Sequence, residues 1–166
     1  MLYLLDANVL IDANRDYYPI GRVDEYWEWL IFQGQQGRVK VPIEVYEEIK
    51  EGKQDALALW AREAETEEAL KLDEDVDIDL VRRVSDEGYA PDLTDVEVEK
   101  IGRDPFLIAY ALIDVEQRVV VTTETSQPRK ERANRKVPDV CRQFRVTSIN
   151  AYQFGHQLDF RTDWKR

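Results

Sequence analysis

The architecture of the chain is indicated most clearly by the stretch Asp104-Pro105-Phe106-Leu107-Ile108-Ala109-Tyr110-Ala111-Leu112-Ile113. Asp is a preferred N-cap residue and Pro suits the first helical position, so we expect a helix that begins at Asp104-Pro105. From Phe106 to Ile113 the predicted helix is apolar on every face, which is typical of a helix surrounded by other elements. The stretch therefore predicts a buried helix that packs centrally against a sheet.

Other short apolar runs are typical of buried strands, and they lie at residues 2–5, 39–41, 119–121 and 145–149. Segments of helical period lie between them, at residues 23–32, 43–51, 56–68, 76–86 and 94–101. The last of these begins with Thr94-Asp95-Val96-Glu97, which has the spacing of a capping box. Strands that alternate with helices predict an α/β fold with a central parallel sheet and helical layers.

The length and composition are those of one globular domain spanning residues 1–166. Hydrophobic residues make up 43% of the chain, and single domains commonly have about 100–200 residues. Cys141 is the only cysteine, so no intrachain disulfide can form, and we expect a cytoplasmic protein in a reducing compartment. The longest apolar run, residues 106–113, is far shorter than a membrane span. No association with a membrane is expected.

The net charge of −11 is unfavourable for binding a polyanion, but the acidic excess is local. Residues 63–104 hold 16 acids and 5 bases, whereas the rest of the chain has 18 of each. One short stretch of this neutral remainder is strongly basic, with Arg129, Lys130, Arg132, Arg135 and Lys136. Two interpretations stay open, because the stretch could contact RNA phosphates or could pair with the acidic middle segment.

The scarcity of histidine excludes several classes of enzyme. His156 is the only histidine, so a paired-histidine ribonuclease, a histidine-rich zinc site and an HExxH site are all ruled out by count. A Ser-His-Asp hydrolase would have to use His156, and no GxSxG motif accompanies it. We expect His156 to lie at the surface and Cys141 in the core.

Carboxylates remain as the groups that could carry chemistry. Some of them stand next to apolar segments, where burying a charged group lowers the stability of the fold. Asp6 ends an apolar strand, Glu124 follows another, and Asp104 begins the buried helix. In parallel α/β sheets the carboxyl ends of the strands form the crevice where ligands bind. Structural roles stay open as alternatives, because Asp6 and Asp104 could be N-caps and Glu124 could be a turn residue.

A further candidate acid comes from the helix predicted for residues 43–51. With its apolar stripe facing the core, a rotation of about 100° per residue puts Glu48 nearest the edge of that stripe. Glu44 and Glu51 lie further round the helix, and Glu47 is almost opposite the core. Glu48 is therefore the acid on this helix that we expect in the site.

Carboxylates that converge without Lys or Arg partners repel one another unless a cation neutralises them. Mg²⁺ and similar hard divalent ions prefer oxygen ligands, and their sites combine a few carboxylates with substrate phosphate oxygens. Such an ion lowers the pKa of an attacking water and offsets charge on the leaving oxygen. The arrangement thus favours hydrolysis of a phosphodiester.

Four stretches resemble the motifs of the PIN-domain ribonucleases. Leu4-Leu5-Asp6-Ala7-Asn8-Val9-Leu10-Ile11 resembles their amino-terminal signature, and Glu48-Ile49-Lys50-Glu51-Gly52 is similar to their Glu-Leu-x-x-Gly helix end. Asp104-Pro105-Phe106-Leu107-Ile108-Ala109-Tyr110-Ala111 resembles their Asp-x-x-Ile-Ala-x-Ala helix, and Val121-Thr122-Thr123-Glu124 resembles their strand-end Thr-x-Asp. With Lys136-Val137-Pro138-Asp139-Val140-Cys141, the last stretch is most similar to a PIN-like subgroup of unknown function with a Val-Thr-x-Glu strand end.

The resemblance implies a Rossmann-like α/β/α sandwich and a Mg²⁺ or Mn²⁺ site formed by Asp6, Glu48, Asp104 and Glu124. Asn8 would then help to orient Asp6 or the metal water. The implied activity is that of an endoribonuclease that cleaves single-stranded RNA, as the VapC toxins do, with an antitoxin protein as partner. The basic stretch would hold the RNA strand, and a homodimer would be common for such proteins.

The chain departs from the family at two places. Glu124 stands where Asp is usual, which lengthens the arm by one methylene and could shift it to a second metal or to a water-mediated role. The segment between Glu48 and Asp104 is longer than in compact toxins and carries the acidic excess. That segment could repel RNA, bind a basic partner or fold over the site.

Two other functions compete with the nuclease hypothesis. One is a catalytically weak PIN-like module that binds another protein and need not hold Mg²⁺. The other is an aspartyl-nucleophile phosphatase, which fits poorly because Asn8 stands where that pattern requires a second acid. Trp27, Trp29 and Trp60 could contribute to a protein interface, although such residues more often lie in the core or singly at the surface.

The helix-face argument gives a first testable prediction. Glu48→Gln should lower metal-dependent RNA cleavage, because a charge beside the proposed cation is lost, whereas Glu47→Gln should change it little. Initial rates of the two variants on one labelled RNA, in Mn²⁺ and in EDTA, make the comparison. A larger loss in Glu47→Gln would show that the assignment of the helix face is wrong.

Overall fold

A computed structural model describes residues 1–52 and 55–166 of the chain. Within these residues the strands are β1 Leu2–Leu5, β2 Val39–Lys40, β3 Arg118–Val121 and β4 Thr147–Ile149. They form an all-parallel sheet in the order β2-β1-β3-β4, so β1 and β3 occupy its centre. The predicted α/β fold with a central parallel sheet is confirmed.

Helices connect the strands and cover both faces of the sheet. They are α1 Ala7–Asp12, α2 Asp24–Gln35, α3 Ile43–Lys50, α4 Ala56–Ala61, α5 Ala64–Leu70, α6 Ile78–Arg83, α7 Asp95–Ile101, α8 Asp104–Leu112, α9 Val137–Gln143 and α10 Ala151–Gln157. Helix α1 continues as a π-helix over Ala13–Tyr17, and α6 continues as one over Val84–Tyr89. A short 3-10 helix spans Arg132–Asn134.

Alternating residues of the central strands pack into two separate cores. Leu5 and Val121 point to the face covered by α1 to α5 and α10, whereas Leu4 and Val120 point to the face covered by α8 and α9. This alternation follows from the period of two residues in a strand. Because both faces are covered, the strands are apolar throughout, and the molecule is the Rossmann-like α/β/α sandwich expected from the resemblance.

Helix α8 is buried nearly all round, as its composition predicts. Residues 107 to 111 are each at most 1% exposed. Trp27, Trp29 and Trp60 lie in the core of the opposite face, so their use in packing is confirmed. The capping box at Thr94 is also confirmed, since Thr94 and Glu97 exchange both hydrogen bonds.

Several boundaries differ from the sequence-based prediction for local reasons. The segment predicted as one helix over residues 56–68 is two helices, α4 and α5, which Arg62 and Glu63 separate. Strand β4 begins at Thr147 rather than at residue 145, because Arg145 has φ of 60° and cannot extend the strand. Helices α9 and α10 were not among the predicted segments. Among the described residues, no helix is long and apolar enough to cross a membrane.

The close approach of α2 to α5 depends on Gly34 and gives a prediction about stability. A Cβ at this position would lie 2.5 Å from the carbonyl oxygen of Ala69, which is backbone and cannot rotate away. Gly34→Ala should therefore lower the free energy of unfolding by about 1–3 kcal/mol. Urea denaturation followed by circular dichroism measures the change.

Gly155→Ala is the matched control, because Gly155 lies in α10 and an added Cβ would meet nothing closer than 3.9 Å. It should be neutral or stabilising by up to about 1 kcal/mol, since Ala favours the helix. Equal effects of the two substitutions would contradict the proposed close approach at Gly34.

Candidate functional site

The first part of the site forms where β1 and β3 end side by side. Leu5 is paired with Val121 in the sheet, so the next residues, Asp6 and Thr122, meet at its carboxyl edge. The Thr122 hydroxyl donates a hydrogen bond of 2.7 Å to Asp6 Oδ2, and both residues are buried. Asp6 does occupy the N-cap position of α1, but its side chain makes no cap hydrogen bond. Its carboxylate is held by the neighbouring strand end instead.

Asp104 reaches the same edge through α8. The helix precedes β3 and runs back across the sheet, so its first residue lies near the point where β3 ends. The sequence suggested Asp104 as the N-cap of this helix, but Asp104 is its first residue. Arg103 occupies the N-cap position, and its side chain makes no cap hydrogen bond. The Tyr89 hydroxyl, 3.5 Å from Asp104 Oδ2, donates a hydrogen bond to it.

Burial and neighbouring carboxylates shift the pKa values of both aspartates. Burial raises the pKa of Asp104 to about 8, and the charges of Asp6, Glu124 and Glu48 contribute to the rise. Burial, together with the charge of Glu124, raises the pKa of Asp6 to about 6, against the opposing effect of the Thr122 hydrogen bond. Within residues 1–52 and 55–166, neither Asp6 nor Asp104 forms an ion pair. The two aspartates therefore have no cationic partner in the described part of the chain.

Cys141 and Tyr89 border the same centre. The Cys141 thiol is fully buried, and its pKa is raised by burial and then by the charges of Asp104 and Asp6. The pKa of Tyr89 is likewise raised, by burial and by Asp104, so its hydroxyl keeps the proton that it donates. Cys141 lies in the core, as predicted, and its thiol is unsuited to act as a nucleophile.

Glu124 is fixed by the loop that follows β3. Its Oε2 accepts a hydrogen bond of 2.7 Å from the Val137 backbone N–H at the start of α9, and its own N–H donates to Thr122 Oγ1 at 3.2 Å. Glu124 Oε1 lies 3.5 Å from Lys136 Nζ. These contacts make Glu124 more than a turn residue, because its carboxylate is held beside the other acids.

Asp139 holds this loop in place and was not identified from the sequence. It is 6% exposed, and it accepts hydrogen bonds from the Ser126 hydroxyl and, at 2.7 Å, from the Gln127 backbone N–H. Although burial alone would raise the pKa of Asp139, these hydrogen bonds keep it below its usual range. A sequence signal exists, since Asp139 is an acid between Val137 and Val140, at the start of an otherwise apolar segment.

The acids of α3 are arranged differently from the prediction. Glu48 is exposed, although its charge reaches Asp104. Glu44 is the more buried of the two, with Oε1 3.5 Å from the Tyr110 hydroxyl and Oε2 buried without a hydrogen-bond partner in the described chain. The idea that Glu48 lies closest to the core is therefore wrong. Glu47 forms ion pairs with Lys50 and Lys71 at the surface.

Two further candidates lie at the surface. Asn8 is exposed on the first turn of α1, and no side-chain hydrogen bond joins it to Asp6 within the described residues. His156 is exposed on α10, as predicted. Neither side chain belongs to the buried centre as it stands.

Part of the basic stretch pairs with the acidic middle segment, as one of the two interpretations expected, and part of it is exposed. Arg132 pairs with Asp92 and Glu97, each at 2.7 Å, and so ties the stretch to the acidic middle segment. Arg135 donates hydrogen bonds to the Gly88 carbonyl and to Gln143 Oε1. Arg129 and Lys130 are exposed, and neither forms an ion pair in the part of the chain described here.

A pocket of about 310 Å³ joins this basic stretch to the acids. Asp104 and Glu124 form one side of it. Its cationic side chains are Lys100, Lys130, Arg135 and Lys136. The pocket is almost entirely polar and open to solvent, so an anion could enter beside the carboxylates.

The donor chemistry of the centre fits a hard divalent cation. Asp6, Asp104 and Glu124 offer carboxylate oxygens, and the pKa values of the two aspartates are raised, first by burial and then by the charges of neighbouring carboxylates. Among residues 1–52 and 55–166, however, no three His, Cys, Asp or Glu side chains are grouped closely enough to hold one ion. A cation would have to draw at least one of the acids inward.

Comparison with known proteins identifies the family of the chain. The model of the family described as Domain of unknown function (DUF4411) matches residues 3–162, and the chain belongs to that family. No curated protein and no solved structure matches it.

The repulsion within the site predicts an unusual dependence of stability on pH. An unfolded Asp titrates near 3.8, whereas the folded Asp104 titrates at about 8. Between these values the folded state binds more protons, so the free energy of unfolding of the protein in EDTA should fall as pH rises. Asp104→Asn should flatten this dependence and, at about pH 8, stabilise the protein by at least about 1 kcal/mol.

Urea denaturation at about pH 5 and pH 8 measures the effect. Asp95→Asn is the matched control, because Asp95 stands in the first turn of α7 and is exposed. Identical slopes in wild type and Asp104→Asn would contradict the proposed repulsion.

Proposed function

We propose that this member of the DUF4411 family is a divalent-metal-dependent endoribonuclease that cleaves single-stranded RNA in the cytoplasm. The observation that carries the proposal is that Asp104 and Glu124 line a pocket together with lysine and arginine, near the carboxyl edge of the sheet where Thr122 holds Asp6. Acids alone would repel a phosphate, and cations alone would only bind one. Their combination suits the hydrolysis of a phosphodiester.

Some residues of the site would bind the phosphate, and others hold the carboxylates in position. Lys130 and Lys136 would bind the phosphate, because both line the pocket and Lys130 has no acidic partner in the described residues. Thr122 holds Asp6 through its hydroxyl, and the Val137 N–H holds Glu124, so these two carboxylates stay at fixed positions. Tyr89 fixes Asp104 from the opposite side.

Asp6, Asp104 and Glu124 are the residues that would hold Mg²⁺ or Mn²⁺, with Glu48 next to them. The bound ion would supply two things that the chain lacks, a lowered pKa for the attacking water and positive charge to offset that of the phosphate. Arg132 would keep the basic stretch in place through its pairs with Asp92 and Glu97. The acidic segment thereby supports the RNA-binding pocket from behind.

The biological part of the proposal is that the protein is a PIN-domain ribonuclease and the toxin of a toxin–antitoxin pair. The motif resemblance around Asp6, Asp104 and Glu124 supports it, and so does the position of these residues at the carboxyl edge of a parallel sheet. A catalytically weak module that binds another protein is the second candidate. The spacing of the acids favours this alternative, since no three of the described side chains are grouped to hold an ion.

Asp104→Asn tests the nuclease directly. The substitution removes a charge and keeps the shape, so we expect metal-dependent cleavage to fall by about 100-fold or more while the fold is retained. Initial rates on a mixed panel of labelled single-stranded RNAs in Mn²⁺ or Mg²⁺ measure it, and circular dichroism checks the fold. Expression in cells adds a readout for the toxin role, since only the wild type should arrest growth.

EDTA and the exposed substitution Asp95→Asn are the controls, the first abolishing cleavage and the second leaving it unchanged. Titration calorimetry with Mn²⁺ separates the two candidate functions. Wild type that neither cleaves RNA nor binds the ion would favour the binding module. Full activity of Asp104→Asn with unchanged metal dependence would contradict the assignment of the site.

A further inference from the structure

We propose that a second pocket, of about 630 Å³, binds a base of the single-stranded RNA whose phosphate lies beside the carboxylates. The identity of the ligand rests on the proposed function. The pocket lies between α1 with its π-helical extension, α10 and the loop after β3. Its aromatic residues are Tyr17, Tyr18, Tyr26, Tyr152 and Phe160.

The two pockets share one wall, which is the loop after β3. Thr123 and Thr125 line the aromatic pocket, whereas Glu124 between them lines the basic one. A nucleotide that places its phosphate by Glu124 therefore has the aromatic pocket immediately across the loop. Asp139 fixes the loop, so this relation does not depend on a mobile segment.

The aromatic side chains fall into a packed floor and an exposed mouth. Tyr18 stacks on Tyr26 with ring centroids 4.3 Å apart, and Phe160 packs edge-on against both. Tyr17 and Tyr152 stand at the mouth, 52% and 66% exposed, with their rings 5.9 Å apart in an edge-to-face arrangement. The floor is part of the core, but the mouth adds little to the packing of the fold. Exposed rings of this kind are the surfaces on which single-stranded bases stack.

The charges around the pocket favour a base over a phosphate. Asp12 pairs with Arg15 at 2.8 Å, and Asp159 pairs with Arg161 at 3.0 Å. These charged groups are thus largely satisfied, in contrast to Lys130 of the basic pocket, which forms no ion pair in the described residues. His156, which is exposed and lines the pocket, offers a ring nitrogen to the edge of a base.

Binding of RNA without metal tests the inference separately from cleavage. Fluorescence anisotropy with a labelled single-stranded RNA in EDTA gives the dissociation constants of wild type, Tyr152→Ala and Tyr152→Phe. Tyr152→Ala should weaken binding about 10-fold, because one stacking surface is lost. Tyr152→Phe keeps the ring and should recover most of that affinity.

Two controls show that the loss concerns a base. Val96→Ala changes an apolar residue that is 75% exposed on α7 and lines neither pocket, and it should bind like wild type. An oligonucleotide of abasic nucleotides binds through its phosphates alone, so Tyr152→Ala should not weaken its binding. Melting temperatures near that of wild type confirm that the variants are folded.

The outcomes distinguish the inference from the proposed function. Equal RNA affinities of wild type and Tyr152→Ala would overturn the inference, while cleavage in Mn²⁺ would still stand on its own assay. A loss of affinity in Tyr152→Ala without any cleavage by wild type would overturn the nuclease and leave a base-binding pocket. Absence of RNA binding by wild type in EDTA would overturn the inference, whereas the nuclease would still be judged by cleavage in Mn²⁺. A dimer that Tyr152→Ala dissociates, with RNA affinity unchanged, would make the pocket a contact between copies and also overturn the inference.

Discussion

The candidate site depends on holding Asp6 and Asp104 at the carboxyl edge of the sheet. Burial and the charges of neighbouring carboxylates both disfavour the charged forms of these acids and raise their pKa values. The interactions that oppose this cost are apolar, since the helix that begins at Asp104 is buried nearly all round and the strand that ends before Asp6 is equally buried. The hydrophobic effect thus holds in place a charge arrangement that electrostatics alone would not form.

The pairing of two strands fixes the geometry of this site. Because Leu5 is paired with Val121, the residue after each strand must meet its counterpart, and Thr122 can reach Asp6. A shift of the register by one residue would exchange the two faces of the strand as well as break this contact. Accurate placement of the site is therefore a by-product of sorting apolar side chains into the two cores.

Much of the fold and part of the site could be predicted from the sequence. The buried helix, the strands and the parallel sheet follow from apolar periodicity. That Asp6, Asp104 and Glu124 lie near the same edge of the sheet follows from where the two strands end and where the buried helix begins. The depth of Glu48 could not be predicted, because a rotation of about 100° per residue gives a direction and not the shape of the surface beyond it. Asp139 and Tyr89 were missed because their partners, Gln127 and Asp104, lie on other elements. Such contacts depend on tertiary packing, which leaves no periodic signal.

The repulsion between Asp6 and Asp104 also has an evolutionary consequence. Most substitutions in proteins destabilise, and selection for stability alone would favour any change that relieves this pair. A lineage that no longer used the site would therefore gain stability by replacing Asp104 with an uncharged residue of similar shape. Retention of both acids in distant members of the family would mark continued selection for what the site does, and replacement of one by asparagine would mark a branch that kept only the scaffold.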